Sequence, residues 1–302
     1  MITLCSPTQV QKLSLRWKCD REAVALVPTM GCLHAGHLQL VKRAKKYGRK
    51  VIVSLFVNPL QFGPHEDFEK YPRTFTEDSR KLEALGVDLL FHPTPEEFYP
   101  SGFATTAKVK GLSEPLEGLS RPGHFEGVAT VCLKLFHITM ADFAVFGEKD
   151  YQQLRVIEQM TRDLHLPLVI VSHEIVREED GLALSSRNRY LSPLERSWAL
   201  QLSRSLQEAQ KLAKEDPGIT VGAIQEHVRT RLATVPLEID YVEVAGAEDL
   251  QPAANNISLR SIQYPRLFLA VRAGTTRLID NGALHFMGNF VGHPTQLTKG
   301  IT

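Results

Sequence analysis

The stretch that most constrains the fold is Val24-Ala-Leu-Val-Pro-Thr-Met-Gly-Cys-Leu-His-Ala-Gly-His37, followed by Leu38-Gln-Leu-Val-Lys-Arg-Ala-Lys-Lys-Tyr47. An apolar run, a break at Pro28 and Gly31, and then apolar residues at 40, 41, 44 and 47 predict a buried strand, a tight loop and an amphipathic helix ending at Gly48. That junction puts His34 and His37, with Gly36 between them, at or just before the helix N-terminus. Unpaired backbone N–H groups and the helix dipole favour an anion there, and phosphate is the natural guest. Gly36 lets a phosphate or a flat base approach the backbone, and two imidazoles can donate to oxygens that gain charge. A His-x-Gly-His alone also suits an ordinary turn and cap; its place after a buried strand gives it weight.

The same alternation runs on down the chain. Residues 51–57 read as a strand covered on both faces and end in the turn signal Asn58-Pro59. A helix is predicted over 77–85, with Phe75, Leu82 and Leu85 on one face and Gly86 as its stop, then a strand over 87–91. Residues 92–123 read as a long loop with one short strand at 105–109. Helices over 128–138 and 151–164 alternate with strands over 143–146 and 168–171. Residues 1–177 are thus expected to form an α/β domain, a Rossmann-like parallel sheet with helices on both faces and ligands at the carboxyl ends of its strands. From 178 to 285 the texture changes: helices over 193–214 and 221–232 and strands over 239–244 and 267–271 predict a smaller α+β C-terminal lid domain. Periodicity fades from Asn281, and residues 286–302 are expected to be a loosely ordered tail.

Charge narrows the partners. Thirty-five Lys and Arg against 34 Asp and Glu leave a formal charge of +1, so no global field gathers nucleic acid or an anionic membrane, and neither is expected as a partner. A start of Met1-Ile-Thr-Leu-Cys5, without a basic and then apolar segment, makes the cytoplasm the expectation. Cys5, Cys19, Cys32 and Cys132 lack metal or framework spacing and read as reduced thiols, which leaves Asn256-Ile-Ser258 an idle sequon.

Further polar clusters fall at predicted strand ends. In Asn58-Pro-Leu-Gln61, the Gln61 amide offers donors and an acceptor to a hydroxyl- and carboxylate-bearing substrate, although Asn before proline also makes a plain turn. Within Gly147-Glu-Lys-Asp-Tyr-Gln-Gln153, Gly147 allows close approach, Lys149 suits a phosphate, Gln153 faces the same rim, and Asp150 either binds ribose hydroxyls or caps the next helix. Leu184-Ser-Ser-Arg187, after a mobile-looking Asp180-Gly181, fits the β- and γ-phosphates of a nucleoside triphosphate on a loop that can close, although taken alone it also reads as plain loop surface. Arg121-Pro-Gly-His124 can extend an anion site or simply turn the chain. Glu77 and Asp78 are candidates for magnesium, but Thr74-x-x-Glu77 reads first as a capping box. No P-loop or G-x-G-x-x-G is present, so phosphate is not bound by a P-loop and a dinucleotide is unsupported; no zincin motif is present either, and the sequence assigns no metal ligands.

In order, Pro28-Thr-Met-Gly with His34-x-Gly-His37, Phe56-Val-Asn-Pro-Leu-Gln-Phe62, Tyr71-Pro-Arg-Thr74, Arg121-Pro-Gly-His124, Gly147 to Gln153, and Leu184-Ser-Ser-Arg-Asn-Arg-Tyr190 resemble the pantothenate synthetase family of the nucleotidyltransferase superfamily. The resemblance implies condensation of pantoate with β-alanine through a pantoyl-adenylate, with ATP as substrate, Mg2+, and a homodimer. A different small-molecule adenylyltransferase on the same core is the alternative. By position, the resemblance implies that Met30, Gly31, Cys32, Leu33, His34, Ala35, Gly36, His37, Gly147, Glu148, Lys149, Asp150, Val176, Leu184, Ser185, Ser186 and Arg187 contact ATP. It likewise implies that Gln61 and Gln153 hold pantoate, with Gln61 also near β-alanine, and that His37 is catalytic; His34 and Lys149 are assigned beside it on electrostatic grounds, to stabilise charge on the phosphate oxygens.

Overall fold

The computed structural model describes residues 1–64, 66, 68–216 and 218–286. The chain divides into two compact units, one of residues 1–113, 121–148 and 152–175, the other of residues 114–120, 149–151 and 176 onward. Of the tail expected over 286–302, residues 287–302 lie outside the described residues, while Phe286 packs against the hydrophobic core of the second unit.

The first unit is a parallel sheet in the order β1-β4-β3-β2-β5-β6, built from β1 (Ile2–Leu4), β2 (Val24–Thr29), β3 (Lys50–Leu55), β4 (Leu89–Phe91), β5 (Phe143–Gly147) and β6 (Val169–His173). Its strands read as apolar runs because both faces are covered. Ala25, Val27, Val51, Val53 and Leu90 share a core with Val41 and Ala44 of α2 (Ala35–Ala44) and Leu82 of α3 (Phe75–Ala84). The alternate residues Val24, Leu26, Ile52 and Leu89 are equally buried, and α1 (Pro7–Cys19) and α6 (His124–Thr139) pack together and against β2. The chain runs outward from β2 to β3 and β4 on one side and from β5 to β6 on the other, so the switch point lies between β2 and β5. In an open α/β sheet the crevice at the carboxyl ends of such a pair is where ligands bind.

Three sequence expectations need correction here. Residues 105–109 form no strand; the Ala107 N–H instead donates to the Thr130 hydroxyl of α6 at 2.9 Å. The helix after the His pair ends at Ala44 rather than Gly48. Gly48 is needed for another reason: a Cβ there would lie 2.6 Å from the Ala25 backbone nitrogen of β2. The helix expected over 128–138 starts earlier, at His124, with Gly123 as N-cap at φ +83°, and Arg121-Pro-Gly makes the turn that leads into it. Short helices α4 (Pro95–Phe98) and α5 (Glu117–Ser120) break up the long segment before it, and α7 (Tyr151–Asp163) follows β5.

The second unit has an antiparallel sheet of β7 (Leu237–Gly246), β8 (Pro265–Ala273) and β9 (Thr276–Ala283). Leu267, Leu269 and Val271 face a core completed by α8 (Pro193–Glu215) and α9 (Val221–Leu232). On the opposite face, Phe268 lies 6.0 Å from the Tyr151 ring, and the Arg266 guanidinium sits 3.7 Å from that ring's centroid. The same sheet holds α5, because Arg277 makes two 2.7 Å bonds to the Glu117 carboxylate, which also accepts from the Tyr241 hydroxyl. Strand β9 corrects the expected fading at Asn281, which is buried in the sheet, with Leu284 buried beyond it. Among the described residues no helix is long and apolar enough to cross a membrane.

Candidate active site

Strand β2 delivers the chain to the switch point, and Met30–Leu33 turns it into α2. The turn uses the left-handed region twice, at Gly31 (φ +88°) and Cys32 (φ +53°). Asp78 of α3, itself 1% exposed, holds this turn: its carboxylate accepts from the Cys32 and Leu33 N–H groups at 2.8 Å each and from the Thr74 hydroxyl at 2.9 Å. Lys81 donates to the Leu33 carbonyl at 2.6 Å. Cys32 and Leu33 are buried, so of the expected ATP contacts these two have their side chains in the core and their amides on Asp78.

The two histidines cap α2 reciprocally. Nδ1 of His34 accepts from the Gly36 N–H at 3.2 Å, and Nδ1 of His37 accepts from the His34 N–H at 3.4 Å. A ring nitrogen that accepts carries no proton, so each neutral imidazole is the tautomer with its proton on Nε2. Their centroids are 4.0 Å apart, which places two Nε2–H donors side by side at a positive helix end. Gly147, at the carboxyl end of β5, is packed against the same helix, a Cβ built on it lying 4.0 Å from Leu40. The β2–β5 crevice therefore has the His pair on one lip and Gly147 on the other.

Gln61 stands next to this turn. It closes a 3-10 turn, Pro59–Gln61, capped by Asn58, whose side-chain oxygen accepts from the Leu60 N–H. The Asn58 amide donates to Gln61 Oε1 and to the Gly127 carbonyl at 3.1 Å each, while Gln61 Nε2 is 2.9 Å from the Met30 sulfur. His124 Nδ1 meets the Gln61 carbonyl at 2.9 Å. The expectation that Arg121 extends an anion site is not met, because its guanidinium makes a two-pronged bond to Glu66 at 2.6 and 2.7 Å. Burial alone would raise the Glu66 carboxyl, but the bonds and charge of Arg121 outweigh it and hold Glu66 below its ordinary value. Gln153 is half-buried in the first turn of α7, and Glu148 is buried.

The other expected ATP contacts belong to the second unit. The Lys149 ammonium is 3.9 Å from Asp150, and its backbone carbonyl accepts from the Asn281 amide of β9 at 2.8 Å. Val176 and Leu184 face each other across a short hairpin, with the Leu184 N–H on the Val176 carbonyl at 3.0 Å. Asp180-Gly181, expected to be mobile, is the hydrogen-bonded turn of this hairpin, with the Gly181 N–H on the Glu178 carbonyl and both Glu178 and Asp180 bonded to Arg196. Arg177 braces it through a two-pronged bond to the buried Asp280 at 2.7 and 2.9 Å. Ser185 then caps a 3-10 turn, Ser186–Tyr190, its hydroxyl accepting from the Arg187 N–H.

The Thr74-x-x-Glu77 capping box does not form. Thr74 is the N-cap residue of α3 without a side-chain cap bond, its hydroxyl goes to Asp78, and Glu77 pairs with Lys81 at 2.7 Å. As magnesium donors these carboxylates fit poorly: Asp78 already has three donors and Glu77 a lysine, and no group of three metal-binding side chains occurs among the described residues. Sequence reasoning missed the loop-holding role of Asp78 and the anchoring role of Asn281, whose partners lie 45 and more residues away. Only the acidic residue in the first turn of α3 gave a signal.

With this geometry in place, the comparisons are specific. A family model described as Pantoate-beta-alanine ligase matches residues 3–283. The chain is 50% identical over 268 residues to the pantothenate synthetase of Desulfitobacterium hafniense, covering 88% of this chain and 92% of that one. It is 48% identical to that of Koribacter versatilis, over 91% and 93% of the two chains. Among solved structures, the pantothenate synthetase from Thermus thermophilus is similar at a TM-score of 0.87 and 44% identity, covering 94% of this chain and all of that one. The pantoate-β-alanine ligase from Francisella tularensis, complexed with β-γ ATP and β-alanine, has a TM-score of 0.77 and 33% identity over 94% and 98% of the chains.

Proposed function

The chain belongs to the pantoate–β-alanine ligase family, and from that premise we propose how its residues divide the work of making pantothenate. It is an ATP-binding ligase of pantothenate biosynthesis. Pantoate's carboxylate attacks the α-phosphorus of ATP in line, pyrophosphate leaves, and the β-alanine amine then displaces AMP from the pantoyl-adenylate. The observation that carries this assignment is the reciprocal cap of His34 and His37 at the N-terminus of α2, on the lip of the β2–β5 crevice. Two Nε2–H donors held by the backbone suit charge that grows on α-phosphate oxygens, because nothing has to reorganise as the charge develops.

The first unit acts as the nucleotide- and pantoate-binding domain. Met30 to His37, Gly147 and Glu148 contact ATP, and Gln61 and Gln153 read pantoate, with Gln61 also near β-alanine. By the same resemblance Lys149, Asp150, Val176 and Leu184 to Arg187 are further ATP contacts, with Lys149, Ser185, Ser186 and Arg187 assigned to the phosphates. Magnesium would arrive with the nucleotide rather than at a protein cage, since the cation keeps several waters and favours substrate phosphates. A homodimer, in line with the resemblance, and a cytoplasmic location complete the proposal.

Purified protein given ATP, magnesium, pantoate and β-alanine should yield pantothenate, AMP and pyrophosphate by mass spectrometry. Histidine and lysine are the residues to vary: His37→Ala and Lys149→Ala should each slow adenylation about a hundredfold or more with folding intact. Wild-type single-turnover rates in either variant would remove that residue from the reaction, and AMP formation indifferent to pantoate would point to another adenylyltransferase.

A further inference from the structure

Asp78 is a buried carboxylate with no chemical role in the proposed reaction, and its contacts say what it does. Two successive backbone N–H groups, of Cys32 and Leu33, converge on it at 2.8 Å each, and the Thr74 hydroxyl adds a third donor at 2.9 Å. Successive amides point to one place only if the chain turns sharply, and it does so with Gly31 at φ +88° and Cys32 at φ +53°. A non-glycine residue in the left-handed region costs on the order of 1 kcal/mol, so this turn needs something to hold it. Charge-assisted bonds to a carboxylate are about twice as strong as neutral ones and can do so. Lys81, one turn further along α3, fixes the Leu33 carbonyl at 2.6 Å. Both backbone polar groups of the residue before His34 are thus set by α3.

We propose that Asp78 is a positioning residue for adenylation: it locks Gly31–Leu33 so that the His34 and His37 donors sit where the α-phosphate oxygens gain charge, and it does not hold magnesium. The inference rests on the assignment of the two histidines to the α-phosphate. A carboxylate offers about four acceptor sites, and three are in use here. Magnesium keeps several waters in an octahedral shell, which does not suit a group 1% exposed and close enough to Gly31 that a Cβ there would be 3.3 Å away.

Asp78→Asn keeps the shape but turns an NH2 toward one of the two amides, so one bond is lost. Single-turnover adenylate formation at saturating ATP and magnesium should fall about tenfold to a hundredfold, with KM for ATP and pantoate changing far less. The magnesium concentration giving half the maximal rate should match the wild type. In a Cys5→Ser, Cys19→Ser background, alkylation of Cys32, followed on its own peptide, should accelerate about tenfold or more because its loop is released, while the buried Cys132 stays protected. Thr74→Ser should behave as wild type and Thr74→Val should show a milder form of both effects. If Asp78→Asn also exposes Cys132, the Thr74 pair carries the test alone.

A defect relieved by added magnesium would assign the carboxylate to the metal and overturn the proposal. So would a normal rate with Cys32 released, or a slow rate with Cys32 still protected. A wild-type rate in His37→Ala would instead remove the histidine assignment, whatever Cys32 does.

Discussion

Gly127 shows how a single missing side chain shapes the turn that carries Gln61. A Cβ there would collide with the Leu60 carbonyl and lie 2.6 Å from the Gln61 nitrogen, so α6 meets the 3-10 turn backbone to backbone. Gly127→Ala is expected to cost about 1–3 kcal/mol in urea unfolding, the range for overpacking, and to raise KM for pantoate more than for ATP, because the relieving motion displaces Gln61. Equal KM changes would place pantoate elsewhere. Glu66 offers a pH test. Its pairing with Arg121 holds its folded value below the ordinary 4.5, so the pair's stabilisation is complete above that value and is lost as pH falls through the lowered one. Glu66→Gln should therefore be about 1 kcal/mol less stable than wild type near neutrality, and the gap should close in acid. A gap that widens below pH 4.5 would contradict the sign. At this scale the sequence was legible where contacts are local. His34, Gly36 and His37 cap one another within four positions, whereas Asp78 reaches back 45 residues and Asn281 reaches 132, distances at which no spacing rule operates.

Elements were legible in proportion to how strongly burial repeats along them. Strands β2, β3 and β5 are continuous apolar runs, and α8 has a capping box at Ser192 and Glu195 that announces its start. Strand β1 is three residues paired only to β4, too short for any period to show. Strand β9 hides because it buries Asp280 and Asn281, polar residues that read as the end of order. Those residues are there for the neighbouring hairpin and for Lys149. Asp280 is 3% exposed and braces Arg177, whose guanidinium also donates to the Gly181 carbonyl. Asp280→Ala leaves an arginine without its carboxylate and should cost about 3 kcal/mol, the lower end for breaking a buried pair, since the Arg177 side chain is 27% exposed. The hairpin leads directly into Ser185–Arg187, so KM for ATP should rise with KM for pantoate little changed. An unaffected ATP KM at full occupancy of the folded state would detach the hairpin from nucleotide binding. The strand expected at 105–109 failed for the converse reason: a β-rich composition pairs with no strand among the described residues, and the Ala107 N–H goes to a side chain of α6.

For the whole molecule, a family model spanning residues 3–283 covers both units, so the reaction order can be tested on the intact enzyme. A carboxylate resists attack by an amine because its charge repels the nucleophile and it lacks a leaving group; activation has to come before the amide bond. Attack by pantoate on the γ-phosphorus would give an acyl phosphate and ADP, whereas attack on the α-phosphorus gives an acyl adenylate and pyrophosphate. The His pair sits at a helix N-terminus where two fixed donors suit charge on a single phosphate, which on the proposed assignment is the α-phosphate. In the first step a carboxylate oxygen forms the new bond to phosphorus as the α–β bridge breaks, and the electron pair departs with pyrophosphate. In the second, the amine adds to the acyl carbon and AMP leaves with that same oxygen, while the amine's proton passes to solvent. Pantoate labelled with oxygen-18 in its carboxylate should therefore transfer one labelled atom to AMP, none to pyrophosphate, and the adenylate should accumulate when β-alanine is withheld. Label in inorganic phosphate together with ADP would show that the γ-phosphorus is the target, and the His34 and His37 donors would then need a different role.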